Sequence, residues 1–88
     1  MKDLFSIKGK VIIITGAGRS IGYKLATGLA KYSAKIYSLD KKFTKIIPKN
    51  LSSNIINIKC DITDQKKIKQ VFNKIFSKEK KIDVLINN

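Results

Sequence analysis

Histidine is missing from this 88-residue chain, cysteine and proline occur once each, and acidic residues number six against nineteen lysines and arginines. Without histidine there is no imidazole acid/base, and with a single cysteine there is neither an internal disulfide nor a Cys/His metal constellation. No metal ligand and no histidine-based catalytic residue is therefore expected. Cys60 itself reads as a small buried hydrophobe near a strand end rather than a nucleophile. No apolar run approaches the roughly 20 residues that span a bilayer, and the opening Met1-Lys2-Asp3-Leu4-Phe5 lacks a signal peptide's apolar core. A soluble, cytoplasmic protein without a membrane partner is expected.

The shortage of acids leaves a net charge of +13. Such a chain is attracted to nucleic acids and anionic surfaces. Yet lysine is scattered through every segment, with no arginine-rich block, no interleaved aromatics and no nucleic-acid motif. Salt-sensitive, nonspecific sticking is expected, and specific nucleic-acid recognition is not. A hydrophobic content of 43% indicates a folded chain. At this length it makes one small domain at most, of marginal stability.

The informative stretch is Lys10 to Gly22, KVIIITGAGRSIG. A β-branched run, Val11 to Thr15, predicts a central strand buried on both faces. It stops at a turn with glycines 16, 18 and 22, and helical periodicity resumes at Ile21. A turn without bulky side chains brings backbone close to a phosphate, and the free N–H groups and dipole of the next helix favour negative charge. A dinucleotide suits this geometry; the alternative is a glycine-rich turn that binds nothing. The G-x-G-x-x-x-G spacing is one residue longer than the dinucleotide fingerprint.

Six further segments are legible. Ile21, Leu25, Leu29 and Tyr32 predict a helix from Ile21 to about Tyr32, with Ala26 and Ala30 letting it lie close on the sheet. Lys35 to Leu39 reads as the second strand, ending at Asp40, which is either an acceptor for ribose hydroxyls or an ordinary turn residue. Lys41 to Asn54, with Pro48, reads as a loop in which Phe43 to Ile47 could form a turn or two. Ile55 to Lys59 is the third strand; after it, Asp61 or Thr63 reads as a capping or turn residue. Asp64 to about Ser77 is the clearest helix, with Ile68, Val71, Phe72, Ile75 and Phe76 on one face and a lysine row on the other. Ile82 to Asn87 is a fourth strand. Ahead of them all, Leu4, Phe5 and Ile7 can pack on the domain, and Gly9 supplies a turn.

Thr15 to Gly22, TGAGRSIG, resembles the T-G-x-x-x-G-x-G motif of the short-chain dehydrogenase/reductase family, with Ser20 in place of the middle glycine. Serine is small and can donate to phosphate, so tolerance is expected. DLFSIKGKVIIITG resembles the family's usual beginning, and Asp83 to Asn88 resembles the segment leading into its Asn-Asn-Ala-Gly motif. The resemblance covers the whole chain but only about the first third to half of such an enzyme. It implies a partial Rossmann-type α/β fold in which parallel strands run in the order 3-2-1-4 and stop after strand 4. Residues 1–88 would be the N-terminal part of a NAD(P)-binding domain.

By the same resemblance, Gly16, Ala17, Gly18, Arg19, Ser20 and Ile21 would hold the pyrophosphate, with Gly22 closing the motif. Asp40 would take the adenosine ribose, Asp61 and Ile62 the adenine, and Asn88 the inner ribose. Asp40 favours NAD over NADP, although Arg19 and Lys41 could pair with a 2′-phosphate. The family reaction is hydride transfer between NAD(P) and a carbonyl or alcohol, and its catalytic serine, tyrosine and lysine segments are not in this sequence. Tyr37 and Lys41 have the family's Y-x-x-x-K spacing, but Tyr37 lies on a predicted strand, where residues i and i+4 sit roughly 13 Å apart at ~3.3 Å per residue. The implied protein partner is a missing C-terminal half or a second copy. The readings from other classes are a stand-alone nucleotide-binding module and a basic nucleic-acid binder.

Overall fold

Alternation along the strands builds two cores, one on each face of a single sheet. The computed structural model describes residues 6–88, so the expectations for Leu4 and Phe5 lie outside the described residues. Its elements are β1 (Val11–Thr15), α1 (Ser20–Ala30), β2 (Lys35–Asp40), a 3₁₀ turn (Lys49–Leu51), β3 (Ile55–Lys59), α2 (Gln65–Glu79) and β4 (Val84–Asn87). All pairings are parallel, in the order β3-β2-β1-β4. Ile13 lies opposite Tyr37 on one side and Leu85 on the other. Because successive side chains point to opposite faces, Ile12 and Ile14 pack under α1 while Val11 and Ile13 pack under α2. That two-sided burial is why Val11 to Ile14 are all apolar.

The first helix does not bury the residues its larger side chains suggest. Gly22, Ala26 and Ala30 face the sheet, flanked by Leu25 and Leu29, whereas Ile21 and Tyr32 are 66% and 72% exposed. The reason is proximity: a Cβ on Gly22 would stand 2.1 Å from the Gly16 carbonyl oxygen, so only small residues fit the contact line. Tyr32 falls beyond the helix, which ends at Ala30 before Ser33 takes a left-handed φ of 68°.

Three other expectations change. Phe43 to Ile47 is not helical; the single 3₁₀ turn falls later, at Lys49–Leu51, and carries Leu51 into the α1-side core. Pro48 fixes the extended geometry just before it. Along α2, Val71 and Ile75 are buried and Ile68 and Phe72 pack against that core, but Phe76 is 55% exposed. The helix outlasts its apolar stripe, continuing to Glu79 before Lys80 turns left-handed and donates to the Phe76 carbonyl. Asp64, rather than Asp61 or Thr63, is the N-cap, its carboxylate accepting from Lys67 N–H at 3.1 Å.

The fourth strand is shorter than its apolar pattern. Asp83 lies before it, and its Oδ2 accepts from Val11 N–H at 2.8 Å while pairing with Lys81 at 3.1 Å. These bonds hold its carboxyl below the usual carboxylate range, the Val11 N–H contributing most. Ile7 packs on the α1-side core, and Gly9, at φ 75°, makes the turn into β1.

Candidate functional site

The carboxyl ends of β1, β2 and β3 converge where the chain has its fewest side-chain atoms. Gly16 and Ala17 N–H both donate to the Leu39 carbonyl, at 2.8 and 3.3 Å, which anchors the turn after β1 to the end of β2. Gly18 N–H donates to Asp40 Oδ2 at 2.9 Å. The same glycine's carbonyl accepts from Thr44 N–H at 3.1 Å, and a Cβ on it would lie 2.0 Å from the Lys42 carbonyl oxygen. Gly16 has φ 66° and Gly22 abuts its carbonyl, so each of the three glycines has its own steric reason.

At the start of α1, Arg19 is extended and makes no side-chain cap, and the first turn carries no acid. Helix α2, by contrast, is capped by Asp64. Arg19, Ser20 and Ile21 are exposed there, while Ala17 is buried and offers only backbone. Ser20 has φ 55°, in the left-handed region. That conformation explains why glycine is the natural occupant of this position and why serine carries a cost there.

Beside the turn lies a cleft of about 180 Å³ bounded by Gly16, Asp40, Asp61 and Ile62. Four sequence-predicted residues from three separate loops thus line one space. Asp40 is half-buried, with Oδ1 accepting from Lys41 N–H at 2.7 Å, and each of its oxygens keeps a lone pair for a further donor. Asp61 Oδ1 accepts from Thr63 Oγ1 at 2.7 Å and Thr63 N–H at 2.9 Å. Those bonds, the side-chain one first, lower its pKa below the ordinary aspartate value. Ile62, about half exposed, supplies the apolar wall. Asn88 sits across the turn, its Nδ2 donating to the Gly16 carbonyl at 3.2 Å and its N–H to Thr15 Oγ1 at 3.2 Å.

Sequence reasoning missed three contributors, Thr15, Cys60 and Thr63, and gave Lys41 only as a partner for a 2′-phosphate. Thr15 is 4% exposed and clips β1 to the end of β4 through Asn87 Oδ1 at 3.1 Å. Lys41, Cys60 and Thr63 line the cleft with the residues named above. Thr63 could have been found from the D-x-T spacing of a side-chain turn, whereas Cys60 enters only through the geometry of β3's end. Its thiol is buried, as expected of a small hydrophobe, and burial pushes its pKa up. Tyr37 and Lys41 do not meet: the Tyr37 hydroxyl donates to Glu79 under α2, and Lys41 faces the cleft.

This cradle can accept hydrogen bonds from vicinal hydroxyls at Asp40, seat a flat ring against Ile62 and bring backbone N–H groups to an anion. Among the described residues no group of three or more potential metal ligands comes together, and no helix is long and apolar enough to cross a membrane. A family model described as short chain dehydrogenase matches residues 10–88. The chain belongs to the short-chain dehydrogenase family. Farnesol dehydrogenase of Aedes aegypti is 31% identical over 91% of this chain and 35% of its own length. The 2-dehydro-3-deoxy-D-gluconate 5-dehydrogenase of Pseudoalteromonas atlantica is 32% identical over 100% of this chain and 37% of its own. Among solved structures, a short-chain dehydrogenase from Leptospira borgpetersenii with bound NAD+ superposes with a TM-score of 0.84 at 32% identity, covering 93% of this chain and 32% of that one. The chain spans about a third of the length of the short-chain dehydrogenases it matches, corresponding to their N-terminal portion.

Proposed function

We propose that residues 1–88 form the N-terminal, cofactor-holding part of an NAD(P)-dependent oxidoreductase, with NAD as the preferred cofactor. The observation that carries this reading is the cleft shared by Gly16, Asp40, Asp61 and Ile62 beside the uncapped start of α1. The residues fit the group by chemistry. Asp40 offers acceptors for the adenosine ribose, Asp61 faces the adenine edge with Ile62 on its face, and residues 16–22 carry the pyrophosphate. Asn88 stands toward the inner ribose. Bound there, the nicotinamide supplies a hydride acceptor or donor.

For NAD against NADP the decisive group is the Asp40 carboxylate, which shares its Oδ2 with Gly18 N–H and would repel a 2′-phosphate. Arg19 and Lys41, both exposed, pull the other way. The carboxylate has the advantage because its position is fixed by two backbone donors while the two cations are free to swing. Substrate binding and proton transfer belong, on this reading, to residues outside 1–88. The test is calorimetric titration of the chain with NAD+ and NADP+. NAD+ should bind more tightly, and Asp40→Ala should weaken NAD+ by about tenfold or more, the worth of hydrogen bonds to a charged group. Gly16→Val should abolish binding. Nucleotide binding indifferent to both substitutions would overturn the reading.

A further inference from the structure

Away from the strand ends, a second and larger cleft of about 360 Å³ runs between α2 and the outer side of β3. Its floor is apolar: Ile56 and Ile58 from β3, Val71 and Ile75 from α2. Its rim is cationic, with Lys67, Lys74 and Lys78 at helical spacings of seven and four along about 16 Å of α2. All three lysines are exposed, and among the described residues none is in an ion pair. No carboxylate lines the space; the nearest acid on the helix, Glu79, is committed to the Tyr37 hydroxyl and to Lys35 at 3.0 Å.

A half-covered apolar floor beneath a purely cationic rim selects its occupant. A neutral hydrocarbon would leave the lysines unanswered, and a small hydrophilic anion would leave the isoleucines wet. Volume is in the range of small-molecule sites. We propose that this cleft binds an anionic amphiphile of the single-chain carboxylate class. Its apolar chain lies on the part-exposed Ile56 and Ile58, alongside the buried Val71 and Ile75, and its head lies between Lys74 and Lys78. These two lysines are four residues apart, so their side chains are neighbours on one helix face and can reach one carboxylate together. The site is separate from the dinucleotide cradle and does not rest on it.

Dodecanoate, below its micelle threshold, is the probe, titrated calorimetrically into the chain with and without saturating NAD+. Saturable binding is expected, much tighter than for acetate and unchanged by NAD+. The double variant K74E/K78E should weaken it by at least about tenfold, the loss of a pair of charge-assisted contacts. The variant K66E/K69E changes net charge equally, at exposed α2 lysines that do not line the cleft, and should stay within about twofold. All four lysines are exposed, so both variants should keep the parent circular dichroism spectrum. Equal losses in the two variants would mean a general attraction to a basic protein and would overturn the site. Competition with NAD+, or dodecanoate binding no tighter than acetate, would do the same.

Discussion

At the residue scale, the glycine turn after β1 is governed by steric exclusion. Gly18 and Gly22 are locked in place by carbonyl oxygens that a Cβ would meet at 2.0 and 2.1 Å. Ser20 is the exception, a side chain held at φ 55° where glycine would rest without cost. Ser20→Gly is therefore expected to stabilise the chain by about 0.5–1 kcal/mol, the cost of a left-handed non-glycine residue less the entropy glycine adds to the unfolded state. Thermal unfolding should show it as a rise of several degrees, since ~1 kcal/mol moves the midpoint of a domain this size by about 4–8 °C. A fall in the midpoint would show that the hydroxyl contributes more than the strain removes. Ser38 makes a second case. Its buried Oγ has no hydrogen-bond partner among the described residues, so Ser38→Ala should leave the midpoint unchanged or raise it.

At the element scale, α2 is tied to β2 by one polar cluster. The Tyr37 hydroxyl donates to Glu79, which also pairs with Lys35 at 3.0 Å. Burial, with the Glu79 bond second, pushes the Tyr37 pKa up to about 12, and the Tyr37 bond pulls Glu79 below the ordinary glutamate value. The signs set a pH window. A lowered carboxylate pKa gives stability that is present above the ordinary value near 4.5 and is lost as pH falls through the folded value. A raised phenol pKa gives stability that is full below 10 and is lost as pH rises towards 12. Tyr37→Phe should lower the midpoint at neutral pH and flatten its decline above pH 10, as read from thermal melts across pH. An unchanged alkaline limb in that variant would place its origin elsewhere.

At the scale of the whole molecule, the sheet has two edges, β3 and β4, each paired on one side only. β4 lies at an edge with Val84 and Leu85 41% and 48% exposed, and Phe76 of α2 is exposed as well. Unpaired edge groups beside apolar side chains are a template for association. The 88-residue chain is therefore expected to melt with weak cooperativity and to aggregate on heating. Leu85→Lys should reduce light scattering during the melt, because a charge on an edge strand opposes edge-to-edge pairing. If scattering is unchanged, association proceeds through another surface. The net charge of +13 predicts, separately, weak nucleic-acid retention that vanishes as salt is raised.

Strand, turn and helix along Lys10 to Ala30 were legible because each follows from local rules: β-branched runs, glycine at positive φ, and a 3.6-residue period. The parallel order 3-2-1-4 followed from the motif resemblance. Tertiary contact alone decided which side chains face inward. Gly22, Ala26 and Ala30, not Ile21 and Tyr32, are buried, and at Gly22 the Gly16 carbonyl leaves no room for a Cβ. It also decided that Asp83 would brace Val11, that Lys42 and Thr44 would clamp Gly18, and that Cys60 would wall the cleft. Those roles depend on atoms separated by as many as 72 residues, and no periodicity or spacing within a segment encodes where a distant carbonyl or N–H will stand.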